Sequence, residues 1–362
     1  MRIVHVVRQY HPSCGGLEDV VRNLVLAQKS AGKRVSVVTL DTNFQNDEKL
    51  QPSEMIDGVP VFRIGYVGSK RYSFAPMVRR YIAEADVVHV HAIDFFVDYV
   101  SLLKRLGAVR GRLVVSTHGG IFHTRTLIWL KQLFFRTVTP FSLSQAYAVI
   151  ASSYSDKTLF EPVSKRLTVI ENGVSLRKFG EIGERIERNG FICLGRFSPN
   201  KNLDNLVRWF AAAHRRDDSI HLYIAGRSEG NKADELRALV HQLGVEAAIT
   251  IVPNPTDATI CAMIAQCRFV VSASTYEGFG LTVPELMSYG LVPVLSNIPS
   301  FRHFVARAAI GGLFDLSEAS FVTTALAAVA AHSPLQIERA ERFANQYSWS
   351  SVATQFAAVY DA

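Results

Sequence analysis

The chain has 362 residues, of which 48% are hydrophobic and 20% charged, and its formal net charge is +7. This length suits two α/β domains, and the composition excludes a disordered, collagen-like or coiled-coil protein. Residues 1–173 carry 22 Lys and Arg against 14 Asp and Glu, whereas residues 174–362 carry 17 against 18. A basic first half favours an anionic membrane surface or a diphosphate-bearing substrate. Because the chain contains no nucleic-acid-binding motif, we expect no nucleic acid partner.

The first half of the chain alternates short apolar runs with helical patterns. Runs rich in Val and Ile predict strands at residues 2–8, 35–40, 85–91, 113–117, 146–151 and 167–170. Residues 17–31 have helical apolar spacing, and this alternation is typical of a parallel sheet covered by helices on both faces. We therefore assign residues 1–174 to a first Rossmann-like domain.

The same alternation restarts after a polar, charge-rich stretch, residues 175–190, which we interpret as a linker. The predicted strands are residues 191–194, 220–225, 249–252, 269–273 and 292–296, and the predicted helices are 203–216, 234–243 and 258–267. We predict a second Rossmann-like domain over residues 191–349 and a C-terminal helix over 350–362 that packs back on the first domain. The fold class is α/β with two Rossmann-like domains, and ligands of such sheets bind at the strand ends, so we expect an active site in the cleft between the domains.

A glycine-rich turn between a strand and a helix is the most informative feature of the second half. The turn and the start of the helix contain Glu277, Gly278, Phe279, Gly280, Leu281, Thr282 and Glu285. The two glutamates offer carboxylates to sugar hydroxyls, and the backbone N–H groups before the helix suit a phosphate. Taken alone, the glutamates are better explained as a solvated loop charge at Glu277 and, at Glu285, a charge that favours a helix N-terminus; this explanation weakens once the neighbouring turns are counted.

Three more turns at predicted strand ends carry candidate residues for a nucleotide ligand. Arg196 and Lys201 can neutralise a diphosphate, although a solvated pair that caps a helix is the plainer alternative. Gly226 permits close approach of a ligand. Asn254 lies between two prolines, where its backbone can line a base pocket.

Three loops of the first half also follow predicted strands. Gly15 and Gly16 let the backbone approach a phosphate, but Gly-x-Gly-x-x-Gly is absent, which argues against a nicotinamide enzyme. We expect His118, which is followed by two glycines, to be exposed in the active site. His91 and Asp94 are candidates for contact with an acceptor, and a helix N-cap explains Asp94 equally well.

We expect no metal ion. The chain contains no Asp-x-Asp motif, and its four cysteines form no Cys-x-x-Cys pair. We expect His89 and His91 to point to opposite faces of a strand, which would separate their ring nitrogens. Cationic side chains and helix ends would then take the place of Mg²⁺ at the diphosphate.

Three patterns together resemble one family. In chain order they are Asn172-Gly173-Val174, the Gly-Arg-x4-Lys turn at residues 195–201, and the two glutamates eight apart, Glu277 and Glu285. They are similar to the retaining glycosyltransferases of family 4 (GT4), which have the two-Rossmann GT-B fold, and the resemblance covers nearly the whole chain. It implies that Glu277 contacts the donor sugar and Glu285 the ribose, while Arg196 and Lys201 hold the diphosphate. It also places His118 beside the reacting sugar, the acceptor on the first domain and the nucleotide sugar on the second.

A closer resemblance is to the mannosyltransferases of xanthan-like and acetan-like exopolysaccharide pathways. It rests on residues 5–16, 90–96, 116–120 and 295–299. Residues 297–301 read Asn-Ile-Pro-Ser-Phe where the broad family has a Gly-Gly-x-Pro-Glu-like turn, which also favours this subgroup.

This closer resemblance implies transfer of α-mannose from GDP-mannose to a lipid-diphosphate-linked oligosaccharide, in exopolysaccharide or lipopolysaccharide assembly, without a cofactor. A retaining transferase that uses a UDP-sugar (glucose, galactose or N-acetylglucosamine) on another glycan is the first alternative. A non-catalytic sugar- or lipid-binding protein that keeps the fold is the second.

Residues 122–139, FHTRTLIWLKQLFFRTVT, mix aromatic and aliphatic residues with Arg and Lys. An amphipathic basic helix of this kind can lie on an anionic bilayer, although a helix packed on the domain with cations at its surface is the alternative. Since no apolar run predicts a transmembrane helix or a signal peptide, we expect a cytoplasmic enzyme, peripheral on the inner face of the plasma membrane.

Overall fold

The computed structural model describes residues 1–13, 15–70, 72–119, 128–184, 189–228 and 230–362. The chain divides into two compact units. The first contains Met1–Gly173 together with Trp349–Ala362, and the second contains Val174–Ser348. The C-terminal segment therefore belongs to the first unit.

The first unit is built on a sheet of eight strands within the described residues. The strands of this unit are β1 (Arg2–Val6), β2 (Arg34–Leu40), β3 (Ser53–Ile56), β4 (Val59–Ile64), β5 (Val67–Ser69), β6 (Tyr72–Phe74), β7 (Val87–His91), β8 (Arg112–Ser116), β9 (Ala148–Ala151) and β10 (Leu167–Val169). Their order in the sheet is β10-β9-β8-β7-β1-β2-β4-β3, with β3 antiparallel to β4 and the other pairs parallel, while β5 and β6 form a separate hairpin. Neither hairpin was predicted from the sequence.

Helices cover both faces of this sheet. They are α1 (Gly16–Ser30), α2 (Arg79–Ile82), α3 (Phe95–Arg105), α4 (Ile128–Leu143), α5 (Tyr154–Phe160) and, from the end of the chain, α13 (Trp349–Asp361). Val352, Phe356 and Tyr360 of α13 are buried in one cluster with residues of β1 and α1. A Cβ atom on Gly173 would lie 2.5 Å from the Trp349 ring, so this glycine makes room for the start of α13.

The second unit is built on a wholly parallel sheet. Its described strands are β11 (Asn189–Leu194), β12 (Ile220–Gly226), β13 (Ile249–Pro253), β14 (Cys267–Ser272), β15 (Val292–Ser296) and β16 (Gly312–Phe314), in the order β13-β12-β11-β14-β15-β16. The central strands β11, β12, β14 and β15 are mostly buried and apolar, as is typical of a parallel sheet covered on both faces. Cys267, which the sequence placed in a helix over 258–267, is the first residue of β14.

The helices of the second unit alternate with its strands. They are α6 (Leu203–His214), α7 (Lys232–Leu243), α8 (Asp257–Ile264), α9 (Thr282–Met287), α10 (Pro299–Ala308), α11 (Glu318–Ala331) and α12 (Pro334–Asn345). Two apolar clusters, one on each face of the sheet, form the core of this unit. Among the described residues, no helix is both long and apolar enough to cross a bilayer.

The topology brings the candidate loops together within each unit. Strands β1, β7 and β8 are neighbours at the centre of the first sheet, and β11 and β14 are neighbours at the centre of the second. Because the carboxyl ends of parallel strands lie at one edge of a sheet, the loops that follow these strands meet there.

Candidate active site

An ion pair joins two loops at the strand ends of the second unit. Lys201, in the 3-10 turn Pro199–Lys201 after β11, has its Nζ 2.7 Å from Oε1 of Glu277, which follows β14. The hydroxyl of Ser274 donates to the same carboxylate oxygen at 2.8 Å. The two charged side chains are only 18% and 14% exposed. Glu277 is therefore not a solvated loop charge.

The backbones of the two loops are also bonded to each other. The Thr275 N–H donates to the Asn200 carbonyl at 2.8 Å, and the Asn200 side-chain amide donates to the Tyr276 carbonyl at 3.1 Å. A small cavity beside the ion pair is lined by Lys201, Glu277, Gly280 and Thr282, among others. The structure thus brings together four of the predicted donor-site residues.

Glu285 lies in α9 with only 8% of its surface exposed. Its Oε1 is 3.2 Å from Nζ of Lys178, a residue that the sequence analysis placed in the linker and did not consider. Burial raises the pKa of Glu285, and the Lys178 ammonium partly opposes that rise. Ser288, one turn further along, accepts a hydrogen bond from the Arg177 N–H at 2.9 Å, which ties this segment to α9.

The glycine-rich turn before α9 has a shape that depends on Gly280. Gly280 has a φ of +79°, and a Cβ atom there would lie 2.7 Å from the Phe301 ring. The Phe279 ring packs against Tyr347 with centroids 5.4 Å apart, whereas the position of Gly278 is open. The Val283 N–H donates to the Gly280 carbonyl, so Leu281 and Thr282 lie within the turn that this hydrogen bond closes.

The fold requires a glycine at position 226, for a reason that could not be predicted from the sequence. Gly226 has a φ of +144°, and a Cβ atom there would lie 1.9 Å from the Gly195 carbonyl oxygen. The glycine therefore accommodates the neighbouring strand end, and the close approach of a ligand to it stays a prediction. Asn254, whose φ is +50°, donates its N–H to the Gly226 carbonyl and accepts from the Ser228 N–H. Arg196 is exposed beside these turns.

In the first unit, Gly15 and Gly16 lie at the start of α1. Gly15 has extended backbone, and a Cβ atom there would lie 2.3 Å from the Glu18 carboxylate. Apart from its chain neighbours and the backbone of its own helix, nothing lies within 4 Å of the Cβ position of Gly16, which leaves room for a ligand there. Cys14, from the same motif, lies outside the described residues.

His118 follows β8 in a turn that a buried carboxylate holds in place. Asp156 Oδ2 accepts hydrogen bonds from the Thr117 hydroxyl at 2.7 Å, the Gly119 N–H at 2.8 Å and the Ser152 hydroxyl at 2.7 Å. The φ of His118 is +47°, which is uncommon for a residue other than glycine and needs such support. Asp156 was not predicted as part of the site, and His118 is half-buried where the sequence predicted an exposed histidine. Gly120 lies outside the described residues.

Three buried histidines lie behind His118. His91 Nδ1 is 3.0 Å from His118 Nε2, and His91 Nε2 is 2.9 Å from His5 Nδ1. The rings of His89 and His91 have centroids 4.0 Å apart. The prediction that these two side chains point to opposite faces was wrong, because residues two apart in a strand share a face. The prediction that His91 contacts an acceptor is also wrong, since its ring is fully buried and bonded to two histidines.

The side-chain nitrogens of His5, His89 and His91 lie close enough together to be compared with a metal site. However, both ring nitrogens of each histidine already have a hydrogen-bond partner, and the contact between His5 and His91 at 2.9 Å is a hydrogen bond. In this structure the three histidines therefore form a hydrogen-bond network.

Asp94 is the N-cap of α3, and its Oδ1 accepts from the Phe96 N–H at 2.9 Å. Burial raises the pKa of Asp94 to about 7, while the charge of Arg8 acts in the opposite direction. The capping alternative is thus observed, and contact with an acceptor stays a prediction.

The architecture defines the class of protein. The structure matches HepE from Anabaena, solved in complex with UDP, with a TM-score of 0.74 over 100% of both chains at 17% identity. Two parallel α/β sheets of this kind constitute the GT-B fold of glycosyltransferases.

Sequence comparison shows the particular family. Residues 14–178 match the model of Glycosyltransferase Family 4, and residues 176–345 match that of Glycosyl transferases group 1. The chain belongs to the family 4 glycosyltransferases. Its similarity to the two mannosyltransferases described next shows that it is a hexosyltransferase.

Two relatives match along nearly the whole chain. A protein from Komagataeibacter xylinus is 37% identical over 99% of this chain and 93% of its own length. One from Xanthomonas campestris is 38% identical over 100% and 97%. Both are GDP-mannose:cellobiosyl-diphosphopolyprenol alpha-mannosyltransferases.

Proposed function

We propose that this protein transfers mannose from GDP-mannose to a saccharide carried on a polyprenyl diphosphate and that it retains the α-configuration. The observation that carries the proposal is the full-length similarity, at 37% and 38% identity, to two enzymes with this donor and this class of acceptor. The similarity extends over both units, and therefore over the residues proposed for the donor as well as those proposed for the acceptor. This favours the same donor and the same class of acceptor as in the two relatives.

The second unit is the nucleotide-sugar-binding unit in this proposal. Glu277 accepts hydrogen bonds from hydroxyls of the transferred sugar, and Glu285 accepts them from the ribose. Arg196 and Lys201 neutralise the diphosphate, together with the N–H groups before α9. The partly buried pair of Lys201 and Glu277 supports this assignment, since an ammonium and a carboxylate held 2.7 Å apart can serve the diphosphate and the sugar side by side.

The first unit contributes the acceptor-binding residues and His118. The bond between the anomeric carbon and the diphosphate oxygen breaks, and an acceptor hydroxyl bonds to the anomeric carbon on the same face. The proton of that hydroxyl passes to the departing diphosphate, so no separate base is needed. His118 lies beside the reacting sugar and positions it by a hydrogen bond. Gly15 and Gly16 bring backbone N–H groups to the diphosphate, and the position of Gly16 is open to it.

The reaction needs no metal ion in this proposal, because the charge of the diphosphate is met by Arg196, Lys201 and backbone N–H groups. Transfer by the purified protein should be unchanged by a chelator of divalent cations. Loss of transfer with the chelator and its recovery with added Mg²⁺ would contradict this part of the proposal.

We also propose that the first unit rests on the anionic inner face of the plasma membrane, where a polyprenyl-linked acceptor is anchored. Helix α4 packs inwards through Phe135 and Leu143, yet it exposes the apolar side chains of Trp129, Leu133 and Phe141, 65%, 54% and 47% exposed. Residues 122–127 of the predicted basic helix lie outside the described residues.

Basic and apolar side chains lie side by side on this surface. Arg136 of α4 is exposed, and Arg105 of α3 lies over the Phe141 ring at 4.9 Å. The exposed side chains of Tyr72 and Phe74 on the β5–β6 hairpin pack against Phe95 of α3. Asp98 of α3 bonds to the hydroxyls of both Tyr72 and Ser142, so the hairpin and α4 are held to the same helix. Such a surface combines apolar insertion with attraction to anionic lipid.

Sedimentation with vesicles tests the membrane contact. We expect the protein to bind vesicles that contain phosphatidylglycerol and to bind pure phosphatidylcholine weakly. Replacement of Trp129 and Leu133 by Gln should reduce binding to the anionic vesicles. Replacement of Leu316 and Leu335, which are exposed to a similar degree in the second unit, should not. Equal binding by both double variants would contradict the assigned surface.

Transfer into lipid tests the acceptor class. The protein is incubated with radiolabelled GDP-mannose, and separately with UDP-glucose and UDP-N-acetylglucosamine, in the presence of lipid extracted from the native membrane. We expect label in the lipid fraction from GDP-mannose alone, and mild acid should release it because a polyprenyl diphosphate linkage is acid-labile. Label from a UDP-sugar would discard the donor assignment, and acid-stable label would discard the acceptor class.

A further inference from the structure

A line of hydrogen bonds runs through the interior of the first unit from Gln28 in α1 to His118. His5 Nε2 lies 2.8 Å from Gln28 Oε1, His5 Nδ1 lies 2.9 Å from His91 Nε2, and His91 Nδ1 lies 3.0 Å from His118 Nε2. Gln28, His5 and His91 are at most 2% exposed. We call these four side chains the histidine line.

A neutral imidazole has one N–H donor and one bare nitrogen that accepts, so the direction of one bond in the line fixes the direction of the next. Gln28 Oε1 can only accept, and His5 must therefore carry its proton on Nε2 and accept at Nδ1. His91 must then donate from Nε2 and accept at Nδ1, and His118 must donate from its own Nε2. Burial favours the neutral rings, because it lowers the pKa of His5 and of His118 to about 4.

We propose that Gln28 is a positioning residue for the transfer reaction: through His5 and His91 it holds His118 in the tautomer protonated on Nε2, which leaves Nδ1 of His118 as a hydrogen-bond acceptor. The consequence for transfer rests on the proposed function, in which His118 lies beside the reacting sugar. An accepting Nδ1 takes a hydrogen bond from a hydroxyl of the sugar or acceptor. Without Gln28, both tautomers are populated, and one of them presents a donor where an acceptor is required.

A second branch of the network also starts at Gln28 but leads elsewhere. The Gln28 amide donates to the Tyr360 hydroxyl at 3.2 Å, this hydroxyl is 2.7 Å from His89 Nδ1, and His89 Nε2 is 2.7 Å from the Ser116 hydroxyl. This branch ends at Ser116 instead of His118. Ser116→Ala is thus a matched control, because it removes a buried hydrogen bond from the same network and leaves the histidine line intact.

The tautomer of His118 can be read from long-range ¹H–¹⁵N correlation spectra of the full chain labelled with ¹⁵N-histidine. The His118→Gln variant assigns its signals. We expect wild type and Ser116→Ala to show one form of His118, protonated on Nε2, and Gln28→Met to show both forms. A wild-type His118 protonated on Nδ1 would overturn the proposal without any variant, and so would an unchanged His118 spectrum in Gln28→Met.

Kinetics then test whether the tautomer matters for transfer. Gln28→Met should lower kcat by about tenfold or more, as is typical when a residue that orients a site imidazole is lost, with an unchanged KM for the donor. Ser116→Ala should keep both constants. Mixed tautomers with an unchanged kcat would overturn the role in transfer. Failure of the proposed function has a different signature, namely absence of transfer by the wild type.

Discussion

The ion pair of Lys201 and Glu277 joins two side chains that are each less than a fifth exposed. At such burial, removal of one partner leaves the other charge uncompensated, and the variant can lose stability as well as activity. A substitution of Glu277 should therefore keep the shape of the side chain and a hydrogen-bond acceptor and change only its charge.

Glu277→Gln meets this condition, since an amide oxygen can still accept from Lys201 and Ser274. We expect kcat/KM for transfer to fall by about a hundredfold, because the carboxylate no longer holds the donor sugar as charge develops on it. The control is Glu181→Gln in the same unit, whose side chain is 77% exposed in a surface ion pair with Arg177. Steady-state kinetics should show no change for the control, and wild-type turnover by Glu277→Gln would remove this residue from the donor site.

Lys201→Met is expected to weaken the binding of GDP by about tenfold or more, because a charge-assisted hydrogen bond to the diphosphate is lost. Its affinity for guanosine, which has no phosphate, should be unchanged. Lys232→Met removes another lysine of the second unit, one that is paired with Asp204 and Glu235 instead. Calorimetric titration with GDP compares the variants, and equal affinity of both for GDP would exclude Lys201 from the diphosphate site.

At the scale of elements, the strands at the centre of each sheet could be predicted because they are short, mostly apolar runs that alternate with helical patterns. The β3–β4 hairpin could not be predicted from such runs, since its outer strand β3 is almost wholly exposed. The sequence does contain one signal for this hairpin, the dipeptide Asp57-Gly58. This dipeptide favours a two-residue turn with positive φ at both positions, and the observed φ values are +52° and +71°.

The loops of the candidate site were predicted from the sequence, but the contacts between them were not. Asp156 lies 39 positions from Thr117, and Lys178 lies 107 positions from Glu285, so no local pattern joins these pairs. Ser153 is the N-cap of α5 and accepts from the Asp156 N–H, and a serine three residues before an acidic residue is a sequence signal for the start of a helix. This pattern predicts where α5 begins, whereas only the fold places the Asp156 carboxylate under the His118 turn.

Helix α13, the last of the chain, is a structural part of the first unit. Phe356 is 6% exposed and packs with Tyr360 in the cluster that includes β1 and α1. Phe356→Ala should lower the free energy of unfolding by about 3–5 kcal/mol, through lost burial and the cavity that remains. The neighbouring, exposed Gln355 provides the control as Gln355→Ala. Urea denaturation measures both, and equal midpoints would show that α13 does not stabilise the unit.

At the scale of the whole molecule, the buried histidines make the free energy of unfolding depend on pH. Burial lowers the pKa of His5 to about 4, below its ordinary value of 6.5. The unfolded chain therefore binds a proton at a higher pH than the folded chain does. The contribution of His5 to the free energy of unfolding is complete above pH 6.5 and is lost as the pH falls towards 4. From the size of the pKa shift, this contribution amounts to about 3 kcal/mol.

Replacement of His5 isolates this contribution. The pKa of Asp94 is raised to about 7, so its contribution has the opposite sign and is lost as the pH rises towards 7. The test therefore compares how steeply the free energy of unfolding changes with pH in the two proteins, and not its absolute values. Between pH 7.5 and 5.5, acidification should destabilise wild type more steeply than His5→Gln in urea denaturation. Parallel slopes would mean that His5 is not held neutral in the folded protein.

The identity of the donor and the fate of its anomeric centre test the central claim most directly. Purified protein is given a synthetic polyprenyl-diphosphate disaccharide with GDP-mannose and UDP-glucose in equal amounts, and the product is analysed by mass spectrometry and NMR. We predict release of GDP alone and a single added mannose in α-linkage. Release of UDP with an added glucose would contradict the proposed donor, and a β-linked mannose would contradict retention.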